Sequence, residues 1–308
     1  MPATDYIFAS PEVSRALNSR APVVALESTV ITHGLPYPQN LQVARDMEAA
    51  VRRGGAIPAT MAVMDGRVKA GLTNEELSHL AQSKSSMKVS RRDFAAAIVR
   101  KKSGGTTVAG TMFAASQLGI RVFATGGIGG VHRENPMDIS PDLRALATTF
   151  MIVVCAGAKA ILDLPATLEY LETMGVPVIG YKTSDFPAFY SRTSGLEVGL
   201  RLDSAHAIAE FANVHRSLGI LTTVLVVNPV PESDSIPRTE IEPIIVKASE
   251  EAKEKKIHGQ ALTPFLLERV SDLSAKKSMR ANLSLLRNNA QLAAEIAVAM
   301  LPYQKKGS

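Results

Sequence analysis

Long apolar runs rich in Val and Ile constrain the fold of this chain more than any other feature. They alternate with stretches of helical periodicity through most of the sequence, and within each run the hydrophobic residues are nearly continuous. Continuous apolar runs are typical of strands covered on both faces, and strands that alternate with helices form a mostly parallel sheet. We therefore predict an α/β fold with strands at 22–27, 57–64, 121–125, 151–155, 176–181 and 222–228.

The connections between the runs agree with this fold. At four places a glycine ends a helical stretch just before an apolar run, as a helix C-cap requires: Gly54-Gly55, Gly119, Gly175 and Gly219. The turn at 64–67 predicts a hairpin with 67–70 antiparallel to the preceding strand. Helix starts are indicated by a capping box at 73–76 and by the N-cap at Ser140 followed by Pro141.

The end of the chain changes character. It contains helical patterns only, at 239–255, 263–273 and 279–300, which predicts a helical C-terminal part appended to the sheet. We find no sequence repeat, low-complexity tract or long linker. The sequence therefore predicts a single domain spanning residues 1–308.

Composition excludes several classes of protein. The net charge is +5, the basic pairs are scattered, and with 5% aromatic residues and no Trp the chain offers neither a basic stripe nor stacking platforms for nucleic acid. The longest apolar stretch, 151–158, is too short to span a membrane, and no secretion signal is expected. The single Cys155 excludes a disulfide framework. We expect a cytoplasmic protein without nucleic-acid or membrane partners.

Ligands of parallel sheets collect at the carboxyl ends of strands, and the first candidate there is Glu27. It closes the apolar run that starts at Val23. A carboxyl group partly removed from water favours its protonated form, which suits it to donate a proton. The alternative, a Glu that pairs with a cation or caps a turn, stays open.

The second candidate is the glycine loop, which we define as residues 125–133 with the sequence TGGIGGVHR. Four glycines in five residues allow close approach of the backbone and can aim successive N–H groups at an anion, while His132 and Arg133 add positive charge. The pattern predicts a phosphate site. It is neither a Walker A loop nor a dinucleotide fingerprint, and a merely flexible loop is the alternative.

The third candidate is Lys159, which follows the predicted strand at 151–155 and two small residues, near the predicted start of a helix. The positive end of a helix dipole and loss of hydration both favour a neutral, nucleophilic amine. A lysine that extends to the surface is the alternative. His33 could relay protons or serve as a structural hydrogen-bond partner. Any metal must be a hard cation held by carboxylates such as Asp138 and Asp142.

Taken together, these segments closely resemble one enzyme family. The matching motifs are ALESTVITHGLPYPQN (25–40), KVSRRD (88–93), VFATGGIGGVHR (122–133), DIS (138–140), VVCAGAKAILD (153–163) and TPFLL (263–267). They resemble the pseudouridine-5′-phosphate glycosidases, a family that includes the indigoidine-locus proteins. The resemblance extends from about residue 11 to the final helix.

The resemblance implies an α/β/α fold that assembles as a homotrimer. The implied activity is that of a lyase, the reversible conversion of pseudouridine 5′-phosphate and water into uracil and ribose 5-phosphate, assisted by a divalent metal, usually Mn²⁺. Lys159 would be the nucleophile, through an imine with ring-opened ribose, and Glu27 the proton donor. The remaining implied roles are substrate contact for Lys88, Val108, Ser140, Pro141 and Asp142, phosphate binding for Thr125 and His132, metal binding for Asp138, and base recognition for Asn282.

One departure from the family pattern concerns the segment between His132 and Asp138. This segment is shorter than in well-known members and lacks a histidine that is often present there. The departure bears on the geometry of the metal site and on which base the enzyme accepts. A C-glycoside synthase that makes an unusual nucleoside for secondary metabolism would carry the same motifs and stays an alternative. A non-catalytic homologue is disfavoured because Glu27, Lys88, Asp138 and Lys159 are all present.

Overall fold

The computed structural model describes residues 5–133, 135–257, 259 and 262–304. Its strands are β1 (Ile7–Ala9), β2 (Val23–Leu26), β3 (Ile57–Met64), β4 (Arg67–Ala70), β5 (Met87–Val89), β6 (Gly104–Thr106), β7 (Val122–Ala124), β8 (Val131–His132), β9 (Ile152–Cys155), β10 (Leu162–Asp163), β11 (Val178–Tyr181), β12 (Leu200–Leu202) and β13 (Val224–Val227). Its helices are α1 (Pro11–Asn18), α2 (Gln39–Arg53), α3 (Asn74–Gln82), α4 (Phe94–Val99), α5 (Val108–Gln117), α6 (Pro141–Thr148), α7 (Leu164–Thr173), α8 (Ala205–Ser217), α9 (Arg238–Glu254), α10 (Leu262–Leu273), α11 (Lys277–Ala299) and α12 (Leu301–Gln304).

The main sheet has the strand order β1-β4-β3-β2-β7-β9-β13-β11-β12. Along this order the neighbours from β3 to β12 are parallel, whereas the β3–β4 hairpin at the other end is antiparallel. Each of the six predicted strands lies in this sheet. The central strands β2, β7, β9 and β13 are buried at every residue, which explains their continuous apolar sequences. The predicted α/β fold is confirmed.

The connections run in two directions from the centre of the sheet. β2 leads through α2 to β3 on one side, whereas β7 leads through α6 to β9 on the other. Crossover connections are right-handed, so opposite directions place helices on opposite faces. Accordingly, α2 and α8 pack with α11, while α5 packs with α6. The direction changes between β2 and β7, and the crevice at such a switch point is where open α/β sheets bind ligands.

A small extension of the sheet rises beyond the carboxyl end of β2. The first half of β3 pairs with β2, but its second half continues past the end of β2 and pairs with β6, which in turn pairs with β5. The buried Ser28 accepts a hydrogen bond from the Thr106 backbone N–H at 2.9 Å, which ties β6 to the end of β2. This extension brings Lys88, in β5, to the edge of the sheet where β2 ends.

The appended helices cover the centre of the sheet. α9, α10 and α11 correspond to the three helical patterns predicted from the sequence. α11 lies against β2, β7 and β9 and contacts α2 closely, since a Cβ on Gly54 would meet the side chain of Ala294. The C-terminal part is therefore joined to the core of the sheet.

The predicted local signals are also confirmed. Thr73 and Glu76 form the capping box of α3, and Ser140 is the N-cap of α6. The hairpin between β3 and β4 turns at Asp65 and Gly66, both with positive φ, as a type I′ turn requires. Among the helices of the described residues, none combines the length and hydrophobicity needed to cross a membrane.

Candidate active site

The candidate site lies at the carboxyl edge of three neighbouring strands. β2 is followed by Glu27, β7 by Thr125, and β9 by the segment that carries Lys159. β7 pairs with β2 on one side and β9 on the other, so the three segments singled out in the sequence leave the sheet side by side. The structure thus places the side chains of Glu27, Lys88 and Lys159 around one cavity.

Glu27 is held by two hydroxyl groups. Its side chain is 5% exposed, Thr29 Oγ1 donates a hydrogen bond to Oε2, and Thr125 Oγ1 donates to Oε1. Both carboxyl oxygens are therefore oriented by neighbours rather than by a cation, and the ion-pair alternative does not describe this residue. The structure places the Thr125 hydroxyl on Glu27, while its predicted contact with phosphate stays a prediction.

Lys159 lies close enough to Lys88 to affect the charge of the Lys88 amine. Burial of Lys88, followed by repulsion from Lys159, lowers the pKa of Lys88, and this is partly offset by the carboxylates of Asp142 and Glu27. Two lysines and two acidic residues thus share the site. In the part of the chain that the structure describes, none of the four forms a salt bridge. Such an arrangement keeps amine groups available for chemistry.

The sequence suggested that Lys159 lies near the start of a helix, but the structure places it in a turn that precedes the helix. Lys159 is the first residue of this turn, which closes with a hydrogen bond from the Leu162 N–H to the Lys159 carbonyl at 2.9 Å. α7 begins later, after its N-cap Asp163. Because the helix dipole acts only within about the first turn, it is not the cause of the reactivity expected for Lys159. What the structure shows for Lys159 is a half-buried side chain that lines the same cavities as Lys88.

The glycine loop differs from the predicted anion cradle. The N–H groups of Ile128, Gly129, Val131 and His132 already donate to protein acceptors, at 3.1, 2.9, 3.0 and 3.1 Å respectively. The acceptor for Gly129 is the carboxylate of Asp142. The prediction that successive N–H groups of the loop all point at an anion is therefore wrong. The amides of Gly126, Gly127 and Gly130, which line the cavities, make no hydrogen bond to the described residues.

Close packing explains why these positions are glycine. A Cβ on Gly127 would lie 2.7 Å from the ring of Phe189, and one on Gly129 would lie 2.8 Å from Asp142 Oδ2. None of the four loop glycines has a positive φ. The loop needs glycine because other groups approach its backbone, not because its conformation is left-handed.

Arg133 was expected to add positive charge for a phosphate, and this expectation is wrong. Its guanidinium donates to the carbonyls of Leu162 and Ala160, at 3.1 and 2.8 Å, and forms an ion pair with Glu242 of α9. Arg133 is absent from the residues that line the cavities around Lys159. The positive charge of Arg133 is balanced by the carboxylate of Glu242.

Asp142 is a buried carboxylate that joins three segments. It is 5% exposed, and it accepts the N–H of Ala109 at Oδ1 and that of Gly129 at Oδ2, each at 2.9 Å. It thereby fixes the start of α5, the glycine loop and the start of α6 relative to one another. Val108, Ser140, Pro141 and Asp142 line the same cavity as Lys88 and Lys159, as expected of substrate contacts.

Asp138 and His132 lie at the outer end of this cavity. Asp138 is exposed, and its carbonyl accepts the His132 N–H at 3.1 Å. In the part of the chain that the structure describes, no group of three or more His, Cys, Asp or Glu side chains could hold a metal ion. A single exposed carboxylate fits only a hard cation that keeps most of its water. Glu134, in the same segment, lies outside the described residues.

The cavity lined by Glu27, Lys88 and Lys159, which we call the inner cavity, has a different lining from the outer cavity that contains Asp138. Glu27 and Asn282 face the inner cavity together with apolar side chains from the C-terminal helices and the ring of Phe189. His33 also lines it, from a π-helical turn at Val30–Gly34 that follows Glu27. Burial, and to a lesser extent Lys88, lower the pKa of His33, which keeps its imidazole neutral near pH 7.

Several residues that shape the site were missed in the sequence. Thr29 binds Glu27, Thr167 accepts the Val131 N–H, and Asn289 donates to the Thr125 carbonyl at 2.9 Å from within α11. Asn289 is fully buried in an apolar stretch of that helix. The sequence did contain a signal for Asn289, because it is a polar residue on the buried face of a helix. Such a buried polar group needs a hydrogen-bond partner.

The cleft thus consists of two joined cavities with different chemistry. Thr29, Lys88, Lys159 and Thr263 line both. The inner cavity carries Glu27 and a largely apolar wall, and the outer one carries polar and charged groups: Ser90, Arg92, Thr107, His132, Asp138 and Ser140. Lys159, which lines both cavities, can therefore reach a molecule with a less polar end in one cavity and a polar or charged end in the other.

Known proteins match this chain along nearly its full length. The model of the family described as indigoidine synthase A like protein matches residues 12–299. A pseudouridine-5′-phosphate glycosidase of Solibacter usitatus (strain Ellin6076) is 55% identical over 289 residues, covering 93% of this chain and 97% of the relative. Another, of Geobacillus kaustophilus (strain HTA426), is 54% identical over 295 residues, covering 95% and 98%.

Two solved structures share the fold. A prealnumycin C-glycosynthase in complex with ribulose 5-phosphate superimposes with a TM-score of 0.89 at 39% identity, covering 97% of this chain and 98% of that one. An indigoidine synthase A-like protein from Thermotoga maritima gives a TM-score of 0.85 at 35% identity, covering 91% and 93%. The resemblance seen in the motifs is therefore confirmed, and the chain belongs to the indigoidine synthase A-like family.

Proposed function

We propose that this protein is a pseudouridine-5′-phosphate glycosidase, which cleaves the carbon–carbon glycosidic bond of pseudouridine 5′-phosphate to uracil and ribose 5-phosphate. One observation carries the proposal. Lys159 lines both cavities, and Glu27 lines the inner one. The names of relatives that are more than half identical to this chain support the proposal as well.

The two cavities suit the two ends of this substrate. The uracil base would lie in the inner cavity, between the apolar wall and Asn282, within reach of Glu27. The ribose phosphate would extend into the outer cavity toward His132 and Ser140, where the amide of Gly130 has no protein acceptor among the described residues. A neutral planar group and an anion are thus matched to apolar and polar surroundings.

The reaction needs an amine because the leaving atom of the base is carbon. Protonation of a glycosidic oxygen or nitrogen, the usual means of expelling a leaving group, is not available. Once the ribose ring has opened and Lys159 is bonded to carbon 1′, the nitrogen lone pair forms a C=N bond. As this bond forms, the bond between carbon 1′ and uracil carbon 5 breaks, and its electron pair leaves with the base.

Glu27, in its protonated form, would supply the proton that uracil carbon 5 takes up. Thr29 and Thr125 orient its two oxygens for this transfer. Water then hydrolyses the imine, which releases ribose 5-phosphate as its aldehyde and restores the free amine of Lys159. Lys88, which lines both cavities beside Lys159, would bind the sugar.

A divalent metal, which the family implies as Mn²⁺, fits this site only as a weakly held ion. Asp138 would hold it, with water and the substrate supplying the other oxygens. Such an ion neutralises phosphate charge when bound. We further propose the homotrimer and cytoplasmic location that the resemblance implies.

The test is incubation with pseudouridine 5′-phosphate and Mn²⁺, followed by chromatography. We expect equal amounts of uracil and ribose 5-phosphate, and the reverse reaction from these two compounds. A C-glycoside synthase is the second candidate, favoured by the structural similarity to the prealnumycin C-glycosynthase. Formation of a C-glycoside from ribose 5-phosphate and an aromatic acceptor, with no reaction of uracil, would support that candidate and contradict the first.

A further inference from the structure

Arg133 belongs to the glycine loop but does not face the cleft. Its Nε donates to the carbonyl of Leu162 at 3.1 Å and its Nη2 to the carbonyl of Ala160 at 2.8 Å. Both carbonyls belong to the turn that starts at Lys159. The guanidinium therefore binds the backbone of the turn that carries Lys159, and Arg133 is not among the residues that line the two cavities.

The remaining part of the guanidinium is bound by Glu242. Nη1 pairs with Oε1, and Nη2 lies 3.4 Å from Oε2, so that the carboxylate of α9 meets the fork of the arginine. The side chains are 29% and 34% exposed, so water screens the pair only in part. Since every guanidinium nitrogen has a protein acceptor and the charge is balanced, little of Arg133 remains for a phosphate.

Other contacts also hold this turn, since Leu162 pairs with His132 in the β8–β10 sheet and the side chains of Ala160 and Ile161 are buried. The Lys159 N–H donates to the Ile128 carbonyl at 3.1 Å, and the turn closes with the 2.9 Å hydrogen bond from the Leu162 N–H. The Ala160 carbonyl, between these two points, is bound by Arg133. The direction of the Lys159 side chain depends on the backbone of this turn, so a change of the turn would move the amine relative to the substrate.

We propose that Arg133 is a positioning residue for Lys159 and that Glu242 holds the guanidinium of Arg133 in place. The inference rests on the proposed role of Lys159 as nucleophile. Displacement of a reacting group by about 1 Å can cost about 100-fold in rate. The planar fork of arginine is needed because it binds two carbonyls and one carboxylate at once, which an ammonium group cannot reproduce.

The experiment compares Arg133→Gln, Arg133→Lys and Glu242→Gln with the wild-type protein. Two quantities are measured: kcat and KM for pseudouridine 5′-phosphate, and the rate at which borohydride traps ribose 5-phosphate on Lys159, followed by peptide mass spectrometry. We expect Arg133→Gln to lower kcat and the trapping rate by about 10- to 100-fold, with KM changed less than about threefold. Arg133→Lys should restore little, and Glu242→Gln should have a smaller effect in the same direction.

Arg269→Gln is a matched control. Arg269 and Glu251 form a comparable partly exposed ion pair between α10 and α9, with side chains 33% and 20% exposed and the shortest contact at 2.5 Å. Loss of that pair should leave kcat and the trapping rate unchanged. This control separates the loss of an ion pair from the loss of the Lys159 geometry.

Three outcomes would overturn the inference. An increase of KM with unchanged kcat in Arg133→Gln would make Arg133 a phosphate contact, and wild-type kinetics in that variant would deny it any role. Should Arg133→Gln fail to fold, Glu242→Gln leaves the carbonyl contacts in place, and a full kcat in it would contradict the role of the pair. A wild-type protein that neither cleaves the substrate nor traps the sugar would instead contradict the proposed function itself.

Discussion

Thr125 donates a hydrogen bond from its hydroxyl to the carboxyl group of Glu27, and the two residues end the neighbouring strands β7 and β2. These strands flank the switch point of the sheet, where the crossovers change direction. The sheet itself thus orients Glu27, the proposed proton donor. The geometry follows from the register of two parallel strands, because both side chains leave the same edge at neighbouring positions.

Replacement of Thr125 by Val should therefore impair catalysis more than binding. The variant keeps the shape of the side chain but removes one of the two donors to Glu27, and a hydrogen bond to a carboxylate contributes about 1.5–3 kcal/mol. We expect kcat to fall about 10- to 100-fold with KM nearly unchanged, measured by uracil release. Thr125→Ser keeps the donor and should restore most of the rate. A rise in KM alone would support the predicted phosphate contact.

Lys88 should lower the free energy of unfolding near pH 7, although the site needs it for activity. Its pKa is lowered from 10.5 by burial and by Lys159, so the charged form is less favourable in the folded protein than in the unfolded chain. This cost is fully present below the pKa of the folded protein and disappears as the pH rises to 10.5. Lys88→Met should therefore unfold at a higher urea concentration near pH 7, and the gain should vanish toward pH 10.5.

The same variant should lose activity, because Lys88 lines both cavities. We expect kcat/KM to fall at least about tenfold, as for loss of a charged contact. Lys84→Met, at an exposed lysine on the same segment, controls for the removal of one positive charge. Equal stability of Lys88→Met and wild type at both pH values would contradict the account.

The glycine loop should not tolerate even one methyl group. A Cβ on Gly129 would lie 2.5 Å from Ser140 Cβ and 2.8 Å from Asp142 Oδ2, both held by the start of α6. We expect Gly129→Ala to lower the free energy of unfolding by about 1–3 kcal/mol or more, because the core around Asp142 must shift. Gly199→Ala is the matched control: it has open space around it and an ordinary φ. Equal urea midpoints of the two variants would argue against close packing.

Much of this fold and part of the site could be predicted from the sequence, because the Val- and Ile-rich runs are long. β2, β7 and β9 are buried on both faces, and the carboxyl ends of parallel strands meet at one edge. That rule alone brings Glu27, Thr125 and Lys159 together. The strand of Lys88 was missed because β5 has three residues, too few for a periodic pattern.

The roles of individual polar groups could not be obtained in this way. The partner of Arg133 is Glu242, 109 residues later in a helix with no motif of its own. Likewise, the glycines at 126–130 predict close approach, but the sequence does not say that Asp142, Phe189 and Thr167 make the approach rather than a phosphate. Partners distant in sequence are determined by the packing of the whole sheet, and no local pattern encodes them.

The proposed metal site gives a prediction of its own. An ion held by Asp138 and water alone should bind weakly, since the described residues provide no further cluster of ligands. Chelator should lower activity and Mn²⁺ should restore it, and Asp138→Asn should need a much higher Mn²⁺ concentration for half-maximal rate. Full activity in excess chelator, with Asp138→Asn behaving as wild type, would exclude the metal role.

The most direct measurement is covalent trapping on Lys159. Borohydride added during turnover of pseudouridine 5′-phosphate should reduce the imine, and peptide mass spectrometry should find a ribose-phosphate adduct on Lys159. Lys159→Ala should form no adduct and release no uracil, while Glu27→Gln should slow bond cleavage but still trap the sugar when supplied with ribose 5-phosphate. An adduct on Lys88 or on another lysine, or uracil release by Lys159→Ala, would contradict the proposed mechanism.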